Sequence, residues 1–332
     1  MPMSKSPYCF VVCADIKYIP EVVAELNSLS YVGNKQDVHF YGYKIPEEVQ
    51  DQFVDLDYNV IFHEITEEEI NLNHGLSEVV CRKRYFYANQ VGREYRAVCV
   101  LDADMIFTRD PIQFFVIAEK TGYVLGASKE QNKVYDDGHH TWHGQFVIEK
   151  GYYNPVDLCN CPLFVDTKVW GSALNKCYQI FVDGWPDDNF KAPDMDAMSV
   201  CLIEAGSADK TIVMPGIQWL GTNEQMLKPY MRVILDHGMT KTECGIPIFS
   251  FHGHWGHVAW RENQLENRHH CIQGYLKATE DSLLCSDNIA KGALELLYGI
   301  YKKMLHYKIQ IPAANYRHPE EDYKKEYGDL WD

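Results

Sequence analysis

No apolar run in this chain approaches the roughly eighteen residues that a helix needs to cross a bilayer. The start, Met1-Pro2-Met3-Ser4-Lys5-Ser6-Pro7, lacks the apolar core of a secretory signal, so the expected location is cytoplasmic. Basic residues are scarce: 31 Lys and Arg against 47 Asp and Glu leave a net charge of −16. That balance argues against nucleic acid as the main partner, because a phosphate backbone is held by clustered cations. No G-x-G-x-x-G follows the first strand-like segment and no G-x-x-x-x-G-K-[ST] occurs, so neither a dinucleotide site nor a P-loop is indicated. Cys159-x-Cys161 has no second pair at zinc-site spacing. Internal repeats and low-complexity linkers are also missing.

What is present describes an ordinary globular chain of 332 residues, 46% hydrophobic and 23% charged. Its 11 cysteines form an odd set, and Cys9, Cys13, Cys99 and Cys201 sit inside apolar runs. That pattern fits reduced, buried thiols better than a disulfide framework. Strands are predicted at 8–14, 38–43 and 60–63, and helices from Val22 to Leu29 and from Glu78 to Val91. A further helix (111–120), strand (123–127), short strand (163–165) and helix (169–181) follow, with Pro193-Asp194 opening another helix. This alternation predicts a doubly wound α/β domain. Residues 129–154 form a long polar and aromatic stretch of the kind that is usually functional or mobile. Beyond residue 262 the chain turns helical and aromatic, Ser286 standing ready to cap an apolar face of Ile289, Leu296, Leu297, Ile300 and Met304.

The chemistry centres on Val98-Cys99-Val100-Leu101-Asp102-Ala103-Asp104. A buried strand runs into two carboxylates spaced one residue apart, and open α/β sheets collect ligands at such strand ends. Like charges at short range repel, and a divalent cation removes that cost while offering coordination positions to phosphate oxygens. The pattern therefore predicts a metal-bound diphosphate; the plainer reading is a solvated turn.

Five separated patches carry a family resemblance. They are Ala14-Asp15-x-x-Tyr18, Leu101-Asp102-Ala103-Asp104, Asn160-Cys161-Pro162-Leu163-Phe164-Val165, Pro193-Asp194-Met195-Asp196 and His252 to Trp260. In this order and at these spacings, the chain resembles the retaining glycosyltransferases of the glycogenin and lipopolysaccharide-galactosyltransferase family, glycosyltransferase family 8. The resemblance implies a GT-A fold: α/β, Rossmann-like, with a mixed central sheet. It covers about residues 8–260, which divides the chain into a catalytic domain (1–261) and a helical extension (262–332).

Carried over position by position, the resemblance gives Ala14, Asp15 and Tyr18 to the uracil and ribose of a UDP-sugar. It gives Arg84 or its neighbour Lys83 to the diphosphate or sugar, and Asp102, Ala103 and Asp104 to the metal-bound donor. Asp102, Asp104 and His252 would ligate Mn2+ or Mg2+, with His254 the alternative third ligand. Asn160, Asp194 and Asp196 would surround the transferred hexose, while His254 and Gly256 belong to the closing motif on the donor. Departures are visible at Met195, where the family has glutamine, at Cys161-Pro162, and at Val258-Ala259, where the family has Lys-Pro.

The implied reaction is transfer of a hexose to an unidentified hydroxyl, with retention. A front-face route, a covalent intermediate on Asp194 or Asp196, and an inverting route with one Asp as base are the three mechanisms left open. Two other classes compete: a nucleotidyltransferase with a related nucleotide fold, and an inert sugar- or protein-binding module. The first usually carries a basic, glycine-rich loop after its first strand, where this chain has Asp15-Ile16-Lys17-Tyr18. The second has no need of Asp102, Asp104, Asp194 and Asp196.

Overall fold

The computed structural model describes residues 5–18, 22, 25, 26, 28–30, 32–50, 56–69, 76–103, 105–107, 109–128, 158–182, 194–207, 210–214, 233–236, 239–242 and 249–252. Asp104, the 129–154 stretch, His254, Gly256 and the whole predicted extension from 262 lie outside the described residues. So do the side chains of Asn160, Asp194, Asp196 and His252.

Strand β1 (Tyr8–Asp15) is buried along all eight positions, as a strand must be when helices cover both faces of its sheet. It pairs in parallel with β2 (Asp37–Tyr43) on one side and with β4 (Ala97–Leu101) on the other. Strand β3 (Val60–Glu64) extends the sheet beyond β2, also in parallel. On the far side β7 (Leu158–Val165) runs antiparallel to β4 and to β6 (Val124–Ser128), and β8 (Thr211–Met214) closes that edge. The resulting order is β3-β2-β1-β4-β7-β6-β8, a mixed seven-stranded sheet.

Two short strands, β5 (Met105–Phe107) and β11 (Ser250–His252), form a separate antiparallel pair. Strands β9 (Val233–Asp236) and β10 (Met239–Thr242) make another. Neither pair is predicted from periodicity, because strands of three or four residues leave almost none to read. The short strand predicted at 163–165 begins five residues earlier, at Leu158. Cysteine, asparagine and proline interrupt its apolar pattern, and pairing with β4 and β6 overrides that local signal.

Each face of the sheet has its own core, sorted by the two-residue period of the strands. One face joins Phe10, Val12, Phe40, Leu101 and Phe164 to Phe114 and Phe115 of α2 (Ile112–Thr121) and to Val22, Leu26 and Leu29. The other joins Cys9, Val11, Val98, Val100, Leu163 and Val165 to three helices. These are α1 (Leu76–Val91), α3 (Thr167–Val182) and α4 (Asp194–Glu204), which contribute Tyr85, Trp170, Leu174, Met198 and Cys201 among others. Cys9, Cys13, Cys99, Cys161, Cys177 and Cys201 are all buried, in line with the reading of the cysteines from their apolar surroundings.

Under α1 the second core holds a polar chain. Tyr95 donates its hydroxyl hydrogen to Asp37 Oδ2 at 2.9 Å, so its oxygen accepts from His39 Nε2 at 2.8 Å. His39 Nδ1 lies 2.9 Å from His63 Nε2 and, in the neutral ring, accepts a hydrogen bond there. Burial, then the neighbouring His63 charge, pull its pKa down to about 4, with Asp37 opposing.

The unfolded chain therefore binds a proton at His39 that the folded chain refuses. The stabilisation is complete above pH 6.5 and is lost as pH falls from there towards 4. At about 1.4 kcal/mol per pKa unit, the loss is on the order of 3 kcal/mol. Urea unfolding at pH 7.5, 6 and 4.5 is expected to show this decline, and His39→Gln to remove most of it. Equal pH slopes for both proteins would count against the assignment.

Candidate donor and metal site

The parallel strands β1 and β4 end at the same edge of the sheet, Val12 lying opposite Leu101. Asp15 closes β1, almost wholly buried, and the single turn Ile16–Tyr18 follows it directly. Ala14 is also buried, and the partly buried Tyr18 packs against the first core. Gly42, beside Ala14 on β2, has no room for a side chain: a Cβ there would stand 2.4 Å from Ile45 Cγ1 and 2.7 Å from Phe62 Cε2. The end of β2 beside Ala14 is thus closely packed by Ile45 and by Phe62 of β3.

Asp102 follows β4 immediately. Its carboxylate forms an ion pair with the guanidinium of Arg84, which rises from α1. The two partners differ sharply in exposure: the Arg84 side chain is 1% exposed and that of Asp102 is 22%. Arg84 also donates to Tyr85 Oη at 3.2 Å. A buried cation therefore backs a carboxylate that reaches towards solvent, just past the end of a central strand.

Lys83, one residue earlier, points elsewhere. Its ammonium lies 5.5 Å from the ring centre of Tyr87, 5.6 Å from that of Tyr178 and 6.0 Å from that of Phe86. Burial lowers its pKa, while the Glu69 charge works in the opposite direction. Of the two basic candidates, the structure brings Arg84 to Asp102 and sets Lys83 among the rings between α1 and α3.

Antiparallel pairing carries Asn160 and His252 towards the same edge. Val100 lies opposite Leu163, so two places further on Asp102 falls opposite Cys161, with Asn160 next. On its other side β7 is irregular. Leu163 pairs with Gly126 but Cys159 pairs with Ala127, leaving 160–162 out of step with β6. A bulge tolerates Pro162 in an interior strand and turns side chains out of the regular pleat. In the small sheet, His252 lies opposite Met105, which follows Asp104 in sequence. The backbone thus places the proposed histidine ligand's strand alongside the acidic loop. Ala103, within that loop, is nearly buried.

Helix α4 begins at Asp194 and packs Ala197, Met198 and Cys201 into the second core. Among the described residues, no cluster of three or more His, Cys, Asp or Glu could hold a metal ion, Asp104 and the His252 side chain being outside them. The donor types proposed, carboxylate and imidazole oxygen and nitrogen, suit Mn2+. The part-exposed Asp102 carboxylate fits that use.

Cys161 is the residue at this edge to which sequence reasoning assigned no role. Asp102 N–H donates to its sulfur at 2.7 Å, and the thiol lies 3.3 Å from Met105 Sδ. The visible signal was its departure from the small residues of the family's Asn-x-Gly strand.

No protein-family model and no curated protein matches the chain by sequence. Solved structures do match it. The galactosyltransferase LgtC, in complex with donor and acceptor sugar analogs, superposes with a TM-score of 0.54 over 86% of this chain and 100% of its own, at 13% identity. The bifunctional glycosyltransferase WbbM does so with a TM-score of 0.50 over 92% of this chain and 53% of its own, at 10% identity. GlyE from Streptococcus pneumoniae matches 63% of this chain and 45% of its own, at 16% identity and a TM-score of 0.42. The chain thus spans about half the length of WbbM and of GlyE.

The architecture is α/β with a mixed seven-stranded sheet. It is the GT-A glycosyltransferase fold shared with LgtC. Among the described residues, no helix is long and apolar enough to cross a membrane.

Proposed function

We propose that this protein is a metal-dependent glycosyltransferase that moves a hexose from a UDP-sugar to a hydroxyl acceptor, with retention. The observation that carries the reading is the Arg84–Asp102 pair at the carboxyl end of β4, beside the carboxyl end of β1. Fold alone does not assign an activity; a buried cation behind an accessible acid at a strand end is a feature of the site. Bound Mn2+ or Mg2+, held by Asp102, Asp104 and His252, would supply Lewis-acid stabilisation of the departing diphosphate. Arg84 orients the Asp102 carboxylate and adds positive potential where negative charge grows. Asp15 and Tyr18 receive the uridine, while Asn160, Asp194 and Asp196 surround the hexose. In a front-face reaction the leaving phosphate accepts the acceptor's proton, so no strong base from the chain is required.

The direct test is hydrolysis of a panel of nucleotide sugars with and without Mn2+. Turnover confined to UDP-sugars plus metal is the expected result. Metal-independent release or complete inertness would overturn the proposal.

Nucleotide choice adds a sharper expectation. Asp15 can accept the N3–H of uracil, whereas cytosine carries no proton at that nitrogen. Calorimetry should therefore rank UDP above CDP and GDP, by about tenfold for one hydrogen bond to a charged group. Asp15→Ala should narrow the gap. Equal affinities for the three diphosphates would remove Asp15 from the site.

A further inference from the structure

We infer that Cys161 is a positioning residue for the acidic loop, its thiol clamping the segment from Asp102 to Met105 at both ends. The inference rests on the donor-site reading above. Cys161 is fully buried in the bulged part of β7. At the near end of the loop its sulfur accepts the backbone N–H of Asp102 at 2.7 Å. At the far end its S–H donates to Met105 Sδ at 3.3 Å. Met105 is itself fully buried and lies opposite His252 in the β5–β11 pair. One side chain thus joins the residue that follows β4, the first residue of β5 and, through β5, the strand that carries the proposed imidazole ligand.

The chemistry suits sulfur. Cysteine is compact, packs as an apolar residue, and still offers one weak donor and an acceptor. Serine would shorten the reach and add the cost of a buried hydroxyl, but it retains both functions. Alanine would retain neither, and the Asp102 amide would lose a partner at the point where the carboxylate must be held still. Groups that hold metal ligands from behind typically govern affinity by factors of about ten to a hundred. The clamp acts through Asp102 and touches neither donor nor metal.

The test uses the full chain with Cys161→Ala, Cys161→Ser and Met105→Leu. Free Mn2+ is titrated by electron paramagnetic resonance, and exchange of the Asp102 amide is followed by NMR. The expected results are a Mn2+ Kd about tenfold weaker in Cys161→Ala, with faster exchange at Asp102. Cys161→Ser should recover most of both, and Met105→Leu, which conserves volume, should lie between.

Unchanged exchange and affinity in Cys161→Ala would overturn the clamp. Equal losses in the serine and alanine variants would reduce Cys161 to packing alone and overturn it as well. A wild-type chain that binds no Mn2+ would remove the metal reading. The Asp102 exchange rate then still decides the clamp, so the two failures are distinguishable.

Discussion

Asp102→Asn is expected to lower turnover on a UDP-sugar by at least two factors of ten, which corresponds to about 2.7 kcal/mol of transition-state stabilisation. The same loss should appear in the wild type on adding excess chelator, and Mn2+ should reverse it there. Two effects combine in the variant. On the proposed reading the metal would lose an anionic ligand, and Arg84, whose side chain is 1% exposed, loses its carboxylate partner. Removing one partner of a fully buried pair costs roughly 3–5 kcal/mol of stability. The Asp102 side chain is 22% exposed, so water screens part of that cost, and a fall of about 1–3 kcal/mol is expected. Arg84→Lys should not restore wild-type behaviour, because an ammonium lacks the planar fork of the guanidinium. Melting curves measured beside single-turnover rates separate the two contributions. Full turnover in excess chelator would end the metal proposal.

Asp194→Asn and Asp196→Asn test a different part of the proposal, and here two readings diverge widely. Helix α4 opens at Asp194, and acids in a first turn are favoured by the helix dipole without any catalytic role. On that account each substitution costs about 0.5–2 kcal/mol of stability and leaves the chemistry nearly intact. If the two carboxylates flank the hexose, folding and UDP binding persist. Turnover then falls by on the order of a hundredfold or more, the scale of one lost electrostatic contact in the transition state. Met195 between them offers no amide to take over. Two lower melting temperatures with unchanged single-turnover rates would make both residues structural.

The main strands and helices were legible because they are long and strongly periodic. Strand β1 is apolar along most of its length, and α1, α2 and α3 run 16, 10 and 16 residues. Burial on both faces and the helical period leave clear traces in a sequence. The positions of Asp15 and Asp102 at strand ends were legible because each acid closes an apolar run. What one-dimensional order could not decide is which of two adjacent cations meets the acid. Arg84 and Lys83 differ by a single step on α1, about 100° around the helix axis. Only the docking of that helix directs Arg84 to Asp102 and brings Tyr178 to Lys83, whose other two rings, Phe86 and Tyr87, are its own helix neighbours.

The same limit explains β5 and β11. Each is three residues long, too short to carry a pattern, and they become strands only by pairing across more than 140 residues of chain. The sequence by itself determined the parallel half of the sheet, the helices that cover it and the acids at its edge, since local burial dictates these. Tertiary structure alone decided the extension of β7 back to Leu158, its antiparallel pairing, its bulge at 160–162 and the approach of Cys161 to Asp102 and Met105. Those features arise from backbone pairing between distant segments, and the energy of such pairing leaves no local periodicity to read.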